Sequence, residues 1–247
     1  MNSASFSGHP RCEPASRPQL QQSFLALLQL ADGLFPAGGF AHSFGLETYA
    51  QAGIIRDGAG LEAFLVAHLE GSSGPADAVA VALCARAAAT EDTAVCLATD
   101  ARLEAMKWVP ELRAASRQMG RQTARVAAAL GGDALLQALA AAIDDERTPG
   151  HHAVAFGAAA GRSGADPETA AAAYLYSTSS LLVSAALRLI PLGQVEGQTV
   201  LASLRPRIAR LAGAAARSGL EDMWSFSPGL ELAGIRHASL EMRLFRS

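Results

Sequence analysis

Phe35-Pro36-Ala37-Gly38-Gly39-Phe40-Ala41-His42-Ser43-Phe44-Gly45-Leu46-Glu47 breaks an otherwise Leu- and Ala-rich chain with three glycines and a proline. Pro36 disfavours helix at the residue before it, and Gly38 and Gly39 permit positive φ or close backbone approach. The stretch therefore reads as a shaped loop entering a helix, with Ser43 as N-cap and Glu47 as a first-turn carboxylate. In this reading Pro36, Gly38, Gly39, Phe40, His42, Ser43, Gly45 and Glu47 are structural, the glycines placing Phe40 and His42.

Helical signals continue on both sides. Upstream, Phe24, Leu27, Leu28 and Leu30 put apolar side chains mostly on one face. Downstream, Leu61, Phe64, Leu65, His68 and Leu69 form a stripe that turns His68 inward. Pro75 is expected to begin a helix that breaks near Thr90. Pro110 should start a longer one ending at Gly131-Gly132, and Asp133 should cap the next. Gly164, Asp166, Pro167 and Glu168 mark a sharp helix-to-helix turn, Ile190-Pro191-Leu192-Gly193-Gln194 closes the helix that follows, and Ser218-Gly219-Leu220-Glu221 has capping-box spacing. Ser227-Pro228 opens a short final segment. No segment alternates at strand length, so the expected fold is all-α, a single-domain helical bundle. The expected divisions are a disordered extension over 1–18, a helical domain over 19–227 and a tail over 228–247 belonging to the same domain.

At 247 residues and net charge -3 the chain can bury one sizeable core and lacks the basic balance of a nucleic-acid binder. Cys12, Cys84 and Cys96 form no paired framework, and no secretory pattern starts the sequence, so a cytoplasmic protein is expected. Thr169–Leu187 carries no charge, but its Tyr, Ser and Thr content fits a buried helix better than a membrane span.

Catalytic spacing is sparse. Lys107, the sole lysine, is followed by Trp108 rather than by the Ser or Thr of a phosphate loop, and it reads as a solvated helix-end charge. Ala41-His42-Ser43-Phe44-Gly45 outlines a nucleophile elbow, yet the segment before it is helical, not a strand. His42, His151, His152 and His237 offer imidazoles that suit nickel, although the adjacent His151 and His152 diverge on a helix, and each is better read as structural. Cys84 and Cys96 read as small core residues. The competing function class is a small-ligand enzyme using the Gly38-Gly39 loop, with His42, Ser43 and Glu47 as polar contacts.

Pro36-x-Gly38-Gly39-Phe40-x-x-Ser43-x-Gly45-Leu46-Glu47 resembles the fingerprint of the urease accessory protein UreF family. Four more blocks follow in the family's order: Ser116–Arg121, Gly150–Gly157, Leu189–Gln194, and Leu230–His237 with Arg243–Ser247. Gly234-Ile235 departs from the more usual Ser or Ala followed by Met. The resemblance spans about residues 22 to 247 and implies an all-helical homodimer with no reaction and no cofactor of its own. It implies a bridge between UreD (also called UreH), which contacts the urease apoprotein, and the GTPase UreG, so that nickel travels with the complex and GTP stays on UreG. A role in modulating GTP hydrolysis is also implied, without singling out an Arg. Tail residues Arg236, His237, Arg243, Leu244, Phe245 and Arg246 become the candidate partner-binding set, in a segment expected to order on binding, the alternative being that it docks on the chain's own core.

Overall fold

The computed structural model describes residues 17–247. Of the expected disordered extension, 1–16 lie outside the described residues, as does Cys12, whereas Arg17 and Pro18 already belong to α1 (Arg17–Ala31). After the glycine loop come α2 (Leu46–Gln51), α3 (Gly58–His68), a π-helical stretch (Leu69–Ala78) and α4 (Val79–Ala89). The chain continues through α5 (Thr93–Met106), α6 (Pro110–Gly131), α7 (Ala134–Asp144) and α8 (His152–Arg162). It ends with α9 (Pro167–Leu189), α10 (Gln194–Arg217), α11 (Pro228–His237) and an irregular tail. Among the described residues there is no strand, so the fold is all-α.

Several helix ends follow from their local sequence. Gly132 closes α6 at φ 60, and Asp133 accepts the Leu135 and Leu136 N–H groups at 3.1 Å to open α7. Gly164 at φ 89 and Asp166, which accepts the Glu168 and Thr169 N–H groups at 3.0 Å, make the turn into α9. Each such cap contributes about 1 kcal/mol.

Pro75 departs from expectation. It lies inside a helix running without interruption from α3 into α4, not at a start. Having no N–H, Pro75 cannot donate within the helix, and the wider π turn gives the ring room. Two carbonyls of the stretch accept from outside it: Gly71 O accepts the Phe226 N–H at 2.8 Å and Pro75 O accepts the Trp224 N–H at 3.3 Å. The helical irregularity thus fastens the segment leading into α11.

α4 is buried along nearly its whole length and packs on α8, where a Cβ at Gly157 would meet Val81 O at 2.5 Å and one at Gly161 would strike Ala85 O. Only glycine permits that approach. α9 packs against α10, α4, α8 and α1, burying Leu175 and Leu182 completely. By length and composition it could cross a membrane, and half of its apolar window is covered by the fold. Cys84 and Cys96 are both buried.

Candidate functional site

The glycine loop and the C-terminal tail, far apart in sequence, form one structure. Gly38 takes φ 83, a left-handed conformation that glycine adopts without steric cost, and Gly39 lies so close to α9 that a Cβ would strike Leu181. This packing turns Phe40 outward at 68% exposure and His42 inward. Ser43 keeps part of its expected role: Gly45, at φ 89, occupies the N-cap position of α2, while the Ser43 hydroxyl accepts the Glu47 N–H at 3.4 Å. The same hydroxyl donates to the Ser247 carbonyl at 2.9 Å, and that carbonyl further accepts the Ser43 N–H at 2.6 Å and the Phe44 N–H at 3.1 Å. These bonds hold Phe44 at φ 50, an uncommon conformation for a residue with a side chain. The His42 Nδ1 pairs with the Ser247 hydroxyl at 2.9 Å, while its buried Nε2 has no partner among the described residues. Burial, then the charge of Arg246, keeps the His42 pKa below its ordinary value, so the ring is neutral.

Glu47 is the anchor of this arrangement. At 1% exposure it accepts the Leu244 N–H at 2.7 Å, the Phe245 N–H at 3.1 Å and the His237 Nε2–H at 2.9 Å. Burial alone would raise its pKa. The Leu244 N–H, His237 and the Phe245 N–H outweigh that effect and lower it. His237, fully buried, faces a second carboxylate through Nδ1, Glu111 at 2.8 Å. Both ring nitrogens of His237 are thus bonded to carboxylate oxygens. Arg243 also reaches Glu111, at 3.0 Å, and donates to the Arg246 carbonyl at 2.6 Å. Thr48 donates to the Ala233 carbonyl at 2.9 Å, fixing α2 to α11.

Arg188 of α9 closes the outer side. Its guanidinium lies 3.9 Å from the Phe40 ring centroid and 4.2 Å from that of Phe245, and it donates to the Phe40 carbonyl at 3.1 Å. Stacking a planar cation between two rings holds loop and tail together.

The expectation of a tail that orders on binding is corrected here, because the tail docks on the chain's own loop. Of the six tail candidates, His237 and Phe245 are buried, whereas Arg236, Arg243, Leu244 and Arg246 are exposed. Exposed Met242 and Leu244 stand on the outer surface of the dock. Sequence reading missed Glu111 and Arg188. Glu111 follows Pro110 and looks like an ordinary first-turn acid, and nothing local marks Arg188 as a clamp.

A second knot joins two more of the blocks. Buried Asp100 accepts the Thr148 hydroxyl at 2.5 Å and the Gly150 and His151 N–H groups at 2.6 and 2.8 Å. His151 then lies between the Ser116 hydroxyl and Glu104, each at 3.0 Å. Its two ring nitrogens are thereby engaged in tying α5, α6 and the start of α8. Among the described residues no three His, Cys, Asp or Glu side chains are grouped so as to hold a metal ion.

The chain is thus all-helical, and its glycine loop clasps its own tail through bonds among Ser43, Glu47, His237 and the tail backbone. Over residues 55–205 the chain matches the sequence model of the UreF family. The urease accessory protein UreF of Bacillus sp. (strain TB-90) is 32% identical over 223 residues, covering 90% of this chain and 98% of its own. That of Methylobacterium radiotolerans is 38% identical over 86% of this chain and 92% of its own, and that of Microcystis aeruginosa 35% identical over 92% and 99%. The chain belongs to the UreF family of urease accessory proteins.

Proposed function

We propose that this chain is a scaffold of urease maturation that bridges UreD (UreH) and the GTPase UreG during nickel insertion, working as a homodimer in the cytoplasm. The observation that carries the reading is the dock itself: a preformed platform of glycine loop and tail, offering Met242, Leu244 and Phe40 beside Arg236 and Arg246. Apolar anchors beside arginines are the composition of protein interfaces. The scaffold needs no cofactor of its own, nickel and GTP being handled by the partners, and no nucleic acid or membrane enters the scheme. Modulation of GTP hydrolysis belongs to the same reading, with the exposed arginines of the platform as its source.

A small-ligand enzyme built on the Gly38-Gly39 loop is the weaker reading, since His42, Ser43 and Glu47, the groups it would use, are all bonded to the tail. Co-purification separates the two. A scaffold retains purified UreD and UreG in one complex, whereas a chain that elutes alone from an equimolar mixture is not one.

A further inference from the structure

Behind the glycine loop lies a cavity of about 460 Å³, within the roughly 300–1,000 Å³ of small-molecule sites. Leu34, Phe40 and Trp108, each more than half exposed, stand on its border, so the cavity opens to solvent beside the loop. Leu103, Met106, Met119 and Leu181 give it an apolar lining, and hydroxyls of α9 with His68 and His152 give it a polar one. Lys107, which also lines it, was expected to be a solvated charge. It is instead mostly buried, with its ammonium 2.7 Å from the Asp77 carboxylate. A buried carboxylate without a cation would be strongly destabilising, which accounts for the burial of the lysine.

Charge and hydrogen bonding together define what fits. Asp77 and Lys107 neutralise each other, and burial holds the pKa of His68 and of His152 at about 4, so both rings are uncharged near neutral pH. The remaining charged groups of the lining, Asp32, Arg188 and Glu231, are exposed or half-exposed. An ionic ligand would therefore leave water and find no free counter-ion inside. Polar groups without partners do remain. His152 touches the Phe156 and Tyr174 rings but makes no hydrogen bond to another described residue, whereas His68 is bonded to the Ser73 hydroxyl at 2.8 Å. The Ser227 hydroxyl, also lining the cavity, is buried without a partner. A neutral imidazole has one donor and one acceptor nitrogen, and a hydroxyl both donates and accepts, so a ligand hydroxyl pairs with His152 in either tautomer. Phe44, Trp108 and Tyr174 line the cavity too, and aromatic side chains pack well on a ring.

We propose that this cavity binds an uncharged small molecule with an apolar, ring-containing body and a hydroxyl group, the body against Leu103, Met106 and Leu181 and the hydroxyl on His152. Gly39, Phe40 and Arg188 border the cavity and also belong to the loop–tail clasp, so a bound molecule braces the platform from behind. The site uses none of the His42, Ser43 and Glu47 groups, and it stands whether or not the chain bridges UreD and UreG.

The probe is 2-naphthol, a ring alcohol uncharged at neutral pH, measured by equilibrium dialysis against the full chain. Its comparisons are 2-naphthoate, an anion on the same rings, and naphthalene, which has no hydroxyl. Wild type should take about one equivalent of 2-naphthol and bind 2-naphthoate roughly tenfold or more weaker. His152→Phe should weaken 2-naphthol several-fold and leave naphthalene unchanged. Ser177→Phe, which places a ring in the cavity from a half-buried position of α9, should abolish binding of both. Equal affinity for the alcohol and the anion, a His152→Phe protein that binds 2-naphthol like wild type, or binding that survives Ser177→Phe overturns the proposal. Should circular dichroism show either variant unfolded, the wild-type protein decides. Lys107 is the chain's only lysine, so its acylation by an amine reagent can be followed by mass spectrometry. Saturating 2-naphthol should slow that acylation several-fold with 2-naphthoate inert, and an unchanged rate overturns the proposal.

Discussion

Glu47 receives donors from three segments, α2 through Gln51, α11 through His237 and the tail through Leu244 and Phe245, and its charge is therefore what the tail is built on. A depressed carboxylate pKa contributes stability above its unfolded value and loses it as pH falls through the folded value. Tail docking should accordingly hold at neutral pH and weaken below about pH 4. Hydrogen exchange of the Leu244 and Phe245 amides measures this, and protection unchanged down to pH 3 would contradict it. Glu47→Gln should release the tail at pH 7 as well, because an amide has one accepting oxygen where the carboxylate has two and cannot serve both N–H groups and His237. Gly39→Val forces a side chain into Leu181 and should impair assembly with partners. Ser43→Ala removes one of three bonds to the Ser247 carbonyl and the long bond from the Glu47 N–H, and should cost about 1 kcal/mol by chemical denaturation, leaving urease maturation largely intact. Complete loss of maturation by a folded Ser43→Ala protein would favour the enzyme reading.

Among the elements, those bounded by their own residues were legible in sequence. Gly132, Asp133, Asp166 and Pro167 all stand where caps are required, because capping is decided within four residues. What sequence did not disclose depends on partners far along the chain: the π stretch whose carbonyls accept from Trp224 and Phe226, the burial of Lys107 against Asp77, and the meeting of His42 and Ser43 with Ser247. The glycine loop was readable as a tight structure, but not what it encloses. α1 shows the same limit. Its sequence stripe is real, yet only Leu27 and Leu30 of it are buried, while Leu20, Phe24, Leu25 and Leu28 are half or more exposed. An uncovered apolar helix face of this kind fits the proposed homodimer contact. Phe24→Glu with Leu28→Glu should then convert a dimer to monomer by light scattering with helix content unchanged, and a variant that stays dimeric would place the contact elsewhere.

At the scale of the whole molecule, the buried knot of Glu47, His237 and Glu111 and the clamp of Arg188 hold the tail in place, leaving other tail side chains free to meet a partner. In the proposed scaffold, anchoring and recognition thus fall on different residues of one short segment. Arg243 belongs partly to both, being exposed yet bonded to Glu111, so Arg243→Ala should weaken UreG recruitment without altering helix content. Deleting Ser227–Ser247 should abolish the complex with UreD, although it also removes α11. The cleaner test changes the outer surface alone. Leu244→Asp with Arg246→Glu alters two exposed side chains, and the main-chain bonds of both residues can remain. In a pull-down with purified UreD and UreG, this double variant should keep wild-type helix content and thermal stability and yet fail to retain the partners. A folded double variant that captures both as efficiently as wild type would contradict the platform account.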